Sequence, residues 1–243
     1  MSDLSRENNY EKRLLELKEK LNKIICEEGK PLQRDSFSIL LAGVQSYISK
    51  LEPFAFEIKL SDEGMKSLKE HLKKAYGISD RKTALFRLAD NKNNGCERQY
   101  MQFMSFWNGE PEFDIEKLSS EAKSAFNSCK DFAHNFYNVI GDKGFTAWDI
   151  GESISLVRDC YICGYLEKAL CDTIIEDFSD MALRLYKSFE EYAISYICGG
   201  CYYMFMKTGN EEVCSKVFDK LYNAVSDLFF KEKVNVFAQY KWL

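Results

Sequence analysis

Apolar side chains return every three or four positions along most of this chain, the spacing that lays one stripe along a helix. Leu14, Leu17, Leu21, Ile24 and Ile25 share one face of a helix predicted over residues 7–28, with lysines and glutamates opposite. A more apolar helix is predicted over 36–51. Further helices are predicted over 62–75, capped by Ser61, and over 80–93, capped by Ser79, followed by a short aromatic- and methionine-rich helix over 97–107. From Asp114 a long pattern runs through Ile115, Leu118, Ala122, Ala125, Phe126, Phe132, Phe136 and Ile140, and Gly141 and Gly144 close it. In residues 52–60 Phe54, Phe56 and Ile58 alternate like a strand. No second strand offers to pair, so an extended connection is expected.

Residues 145–206 form the centre of the chain. Thr146 and Asp149 have the spacing of a capping box, and Phe145 with Ile150 that of a hydrophobic staple. Gly164 is placed to end this helix in a left-handed turn. At 100° per residue Ile150, Ile154, Val157 and Tyr161 lie on one arc, with Asp149 and Arg158 at its borders. Those two are expected to reach into an interface, whereas Glu152 and Asp159 are expected to face water. A later helix opens with a second box, Ser188 with Glu191, and carries Gly199 and Gly200 in its interior. Interior glycine costs ~1 kcal/mol against alanine, so tight crossings are expected where Gly151 and Gly199 or Gly200 meet neighbours. Thr208 with Glu211 opens a helix to Phe230, and Trp242 suggests a docked tail.

The sum is an all-α protein: a single multi-helix globular domain of about nine or ten helices with no substantial sheet. The weakest seam is residues 91–97, NKNNGCE. It divides an N-terminal helical region, 1–94, open to reading as a loosely attached subdomain, from a helical core, 95–243, built on the segment 145–206.

Composition adds limits. The 243 residues are 46% hydrophobic and 29% charged, ordinary for a soluble globule. A net charge of −5 disfavours broad contact with nucleic acid or an anionic membrane. The longest uncharged run, residues 192–206, is 15 residues long and contains two glycines, too short for a membrane span. The first residues hold no apolar segment of the secretory kind. With nine cysteines, an odd number, reduced thiols in a cytoplasmic protein are expected.

Candidate chemistry is sparse. Cys160/Cys163 and Cys198/Cys201 are two Cys-x-x-Cys pairs, a format that zinc uses. Both lie inside apolar helical runs, where cysteine more often acts as a small hydrophobe; no cofactor and no metal is expected. Asp149 and Arg158 are read first as a structural buried pair and second as a ligand site at a helix start, although Asp149 would repel an anion there. Of two histidines, His71 lies in a lysine-rich helix, and His134, beside Asp131 and Asn135, is the third candidate catalytic residue. The acidic residues between Glu167 and Asp180 lack the Glu-x-x-His pairs of a di-metal bundle. The lysines of residues 66–82 read as a solvated face. No P-loop, nucleophile elbow or His-Glu-x-x-His occurs.

The central block resembles a bacterial family, domain-of-unknown-function family 1266, over roughly residues 72–203. The resemblance rests on Ala147, Trp148, Asp149, Gly151, Arg158, Gly164, Tyr165, Ser188, Glu190, Glu191, Tyr196 and Gly199, with an upstream Tyr76-Gly77-Ile78 followed by Gly95. Glu152 and Gly200 stand where the family usually has arginine, which weakens any anion-binding role. Phe189 and Tyr203 stand where it usually has tryptophan. The resemblance implies a helical domain and no established activity. Trp148, Asp149, Arg158 and Tyr196 are taken as candidate binding residues. The preferred function is a non-catalytic, cytoplasmic protein-interaction or regulatory module, its partner another protein, since aromatic residues are plentiful enough to mark an interface. The alternatives are an enzyme acting on a small molecule or anion, with Asp149, Arg158 and His134 in one cleft, and a cysteine-bound zinc protein.

Overall fold

Helix α8 (Thr146–Ile162) is buried almost all round, because small and apolar residues occupy every face: Ala147, Ile150, Gly151, Ser153, Ile154 and Val157 are all enclosed. Such a helix has to be central. In the computed structural model, which describes residues 9–24 and 29–243, the others wrap it. They are α1 (Asn9–Leu21), α2 (Arg34–Leu40), α3 (Gly43–Ile48), α4 (Asp62–His71), α5 (Arg81–Asn94), α6 (Cys96–Trp107), α7 (Ser120–Ile140), α9 (Lys168–Leu185), α10 (Phe189–Thr208), α11 (Glu211–Phe230) and the short α12 (Val236–Gln239). Helices α3, α5, α6, α9 and α10 pack directly on α8, and α11 covers α10. Among the described residues no strand forms; a single bridge ties Lys30 to Tyr240. The protein is thus a single all-helical domain, and no described helix is long and apolar enough to cross a membrane.

The crossing of α8 and α10 is as close as their glycines suggest. A Cβ on Gly199 would lie 2.5 Å from Trp148 Cβ, and one on Gly200 2.5 Å from Leu221 Cδ1 and 2.6 Å from the Trp148 ring. On the other helix, a Cβ on Gly151 would lie 2.5 Å from the Tyr196 ring. Gly164, at φ +72°, ends α8 as expected.

Helix boundaries depart from the sequence pattern in several places. The helix expected over 36–51 is broken into α2 and α3. The first helix stops at Leu21, and the Ile25 position lies outside the described residues. Asp80, not Ser79, caps α5 in a reciprocal box with Thr83. Asp114 caps only a 3₁₀ turn, and Ser119 starts α7. Asn210 replaces Thr208 as the cap of α11, because Gly209 has already turned the chain out of α10. Helix α4 continues through a wider π turn, Leu72–Tyr76, which brings Tyr76 toward α8. The tail docks: the Trp242 ring lies 4.8 Å from Phe37 and 5.0 Å from Phe189 between centroids.

Candidate functional site: a polar cavity beside two exchanged helix caps

Every helix begins with N–H groups that lack partners within it. Neither α6 nor α8 has a capping side chain of its own; their cap positions are Gly95 and Phe145. Each borrows from the other. The Asp149 carboxylate, in the first turn of α8, accepts the N–H of Cys96 at 3.0 Å and of Glu97 at 2.9 Å. The Glu97 carboxylate, in the first turn of α6, accepts the N–H of Phe145 at 2.6 Å. The expected box between Thr146 and Asp149 is therefore not formed, because Asp149 is spent on α6. Gly95 and Gly144 make the exchange sterically possible, since a Cβ on Gly95 would overlap Asp149 Oδ2 and one on Gly144 would overlap Glu97 Oε2. Burial pushes both carboxyls up to about 7, against the opposing pull of the N–H donors.

Beside this junction lies a cavity of about 240 Å³. Arg87, Asp90, Asn91 and Asn94 border it from α5, Gly95, Cys96 and Gln99 from α6. Trp148, Asp149 and Glu152 of α8, Tyr203, Met206 and Lys207 of α10, and Tyr76 complete the wall. Trp148 and Tyr203 stand 5.5 Å apart between centroids. Glu152, expected to face water, is half-buried here; Tyr76 Oη donates to it at 3.2 Å. Burial pushes the Glu152 carboxyl up to about 7, with Asp159 and Asp149 adding to the rise and Arg158 opposing it. Arg87 is held by the Tyr76 carbonyl at 3.2 Å and by Asp90 at 3.3 Å.

The candidate residues separate. Trp148 and Asp149 line the cavity. Arg158 does not join them: nine residues further along the helix, about 13 Å by its rise, it is 4% exposed and donates to Ser46 Oγ at 2.8 Å and to Asp159 at 3.4 Å. Asp159, also expected in water, is half-buried in that pair. Tyr196 is fully enclosed over Gly151, and its hydroxyl has no hydrogen-bond partner among the described residues. His134 is exposed and stacks on Tyr137, 5.8 Å between centroids, beside Trp107. Asp149, Arg158 and His134 thus do not form one cleft. Cys160, Cys163, Cys198 and Cys201 are buried free thiols, and among the described residues no group of three or more His, Cys, Asp or Glu is arranged to hold a metal.

Glu97, Glu152, Tyr76 and Arg87 were not among the sequence candidates. The one local signal was an acidic residue two positions after Gly95, at a helix start with no side chain of its own to cap it.

Fold and site together define a class: an all-helical domain in which a mixed-charge, aromatic-walled cavity sits beside a carboxylate-locked helix junction. The chain belongs to the family described as "Protein of unknown function (DUF1266)", which it matches over residues 71–242. No curated protein and no solved structure matches it.

Proposed function

We propose that this protein is a non-catalytic regulatory module, working in the cytoplasm, that binds a small polar molecule in the cavity between α5, α6, α8 and α10. One observation carries the reading: Asp149 both faces the cavity and holds the start of α6. A ligand that engages this carboxylate acts on the contact between two helices, and binding energy that differs between two arrangements of them is what a regulatory domain requires. The catalytic alternative draws less support, because Arg158 and His134 lie away from Asp149. The buried free thiols accord with a reducing compartment.

Thermal unfolding against a panel of small polar metabolites tests this. A binder should raise Tm in the native protein and not in Asn91→Leu, which fills the cavity from α5. Equal shifts in both proteins would refute the cavity as the site.

A second reading, a protein-interaction module, rests on the apolar groove next to the same junction. Met101 is 46% exposed and Leu185 41%, and Phe178 and Met181 also line the groove. The aromatic surplus that suggested an interface in the sequence lends it no weight, since Tyr192, Tyr196 and Tyr202 are fully enclosed in the core.

A further inference from the structure

We propose that the cavity takes a compact organic ammonium ion, its cationic head set among the rings of Tyr76, Trp148 and Tyr203 and against the carboxylates of Glu152 and Asp149. This rests on the ligand-binding reading above and gives it a substrate class.

Three aromatic side chains line one small space, and the faces of such rings attract cations, most strongly where water is excluded. Tyr203 already draws one: the Lys207 ammonium lies 5.4 Å from its ring centroid, with Lys207 itself exposed to solvent. The walls carry three carboxylates, Asp90, Asp149 and Glu152, against two cations, Arg87 and the solvent-exposed Lys207, a balance that leans toward a cationic ligand. Neither Glu152 nor Asp149 has an ion pair among the described residues. Asp149 accepts backbone N–H groups and Glu152 one phenol. The two nearby guanidinium groups are taken, Arg87 by Asp90 and Arg158 by Asp159 and Ser46. An anionic ligand would look to the start of α6, the usual place for one, and find it closed by Asp149. The volume, about 240 Å³, falls below the ~300–1,000 Å³ of sites for drug-sized ligands, so the guest is compact.

The test is calorimetric titration of the full chain at about pH 8.5, where Glu152 and Asp149, raised to about 7, are charged, with four probes of similar length: butylammonium, butyltrimethylammonium, pentanol and pentanoate. The two cations should bind at least roughly tenfold more tightly than the alcohol, with pentanoate weakest. Glu152→Gln, nearly isosteric, should lose roughly tenfold of the cation affinity while leaving Tm within about 2 °C. Tyr203→Leu should weaken butyltrimethylammonium more than butylammonium, because the methylated head relies on the rings. If pentanol or pentanoate binds as tightly as the cations and Asn91→Leu abolishes it, the ammonium class is wrong and the cavity remains a site. If no probe binds, the ammonium class is wrong and the metabolite panel alone decides the cavity reading; if binding survives Asn91→Leu, both the class and the cavity reading fail.

Discussion

Gly144→Ala is the sharpest test of the exchanged caps, because Gly141 supplies a matched control. Both glycines have φ +55°, with ψ −146° at Gly144 and −132° at Gly141, a region that residues with a Cβ avoid. Alanine at either should therefore cost about 1–3 kcal/mol in backbone strain. The positions differ in what the new methyl meets: nothing within 4 Å at Gly141, the Glu97 carboxylate at Gly144. Moving that carboxylate leaves the buried Phe145 N–H without its 2.6 Å partner, and an unsatisfied buried donor costs about 1–3 kcal/mol. Gly144→Ala should thus lose roughly 2 kcal/mol more than Gly141→Ala, about 4–8 °C in Tm for a chain of this size. Urea unfolding followed by tryptophan fluorescence measures both. In a Glu97→Ala background the methyl has no carboxylate to displace, so the extra loss at Gly144 should disappear. Equal losses for the two single variants, or an undiminished increment in that background, would refute the assignment of Glu97 as the cap of α8.

Further predictions concern charge, packing and the tail. Glu97, Asp149 and Glu152 each rise to about 7 in the fold, above ordinary values of about 4 in the unfolded chain. The folded state therefore holds protons that the unfolded state releases, so stability should fall as pH rises from about 5 to about 8. Urea midpoints across that range check the sign, and Glu97→Gln should flatten the slope; a rising or flat native curve would contradict the burial of these groups. Gly200→Ala should destabilise by about 1–3 kcal/mol through overpacking against Leu221 and Trp148. Helix propensity alone predicts a gain of ~1 kcal/mol there, so a stabilised variant would show the crossing to be loose. Trp242→Ala should cost about 2 kcal/mol, since its half-buried ring packs on Phe37, Phe189 and Tyr192; an unchanged Tm would mean that the tail is not docked.

The all-helical class was legible from apolar spacing alone, and the close crossing of α8 and α10 from glycines placed where propensity argues against them. Helix ends were less so. Around Ser79, Asp114 and Thr208 another Ser, Asp or Asn lies within a few residues, and the choice turns on details such as the reciprocal partner Thr83 of Asp80 or the left-handed turn at Gly209 before Asn210. The site was half visible. Trp148 and Asp149 stand out in a run of apolar residues, but the partners of Asp149 are 52 and 53 residues away, and no local pattern encodes a cap supplied by another helix. Glu152 and Asp159 were assigned to solvent on the geometry of α8 by itself. A helix packed on most of its faces has little wet side to offer, so both were drawn into polar contacts instead.

The traded carboxylates also bear on the order in which the chain folds. Helices α6 and α8 each begin without a side chain of their own to satisfy the first turn, so in isolation both are poor helices with frayed starts. The contact that completes them spans 48 residues from Glu97 to Phe145, and closing that loop precedes any gain from it. Secondary structure at these two starts should therefore appear late and together. In hydrogen exchange the amides of Cys96, Glu97 and Phe145 would open as one cooperative unit rather than as two independent ends.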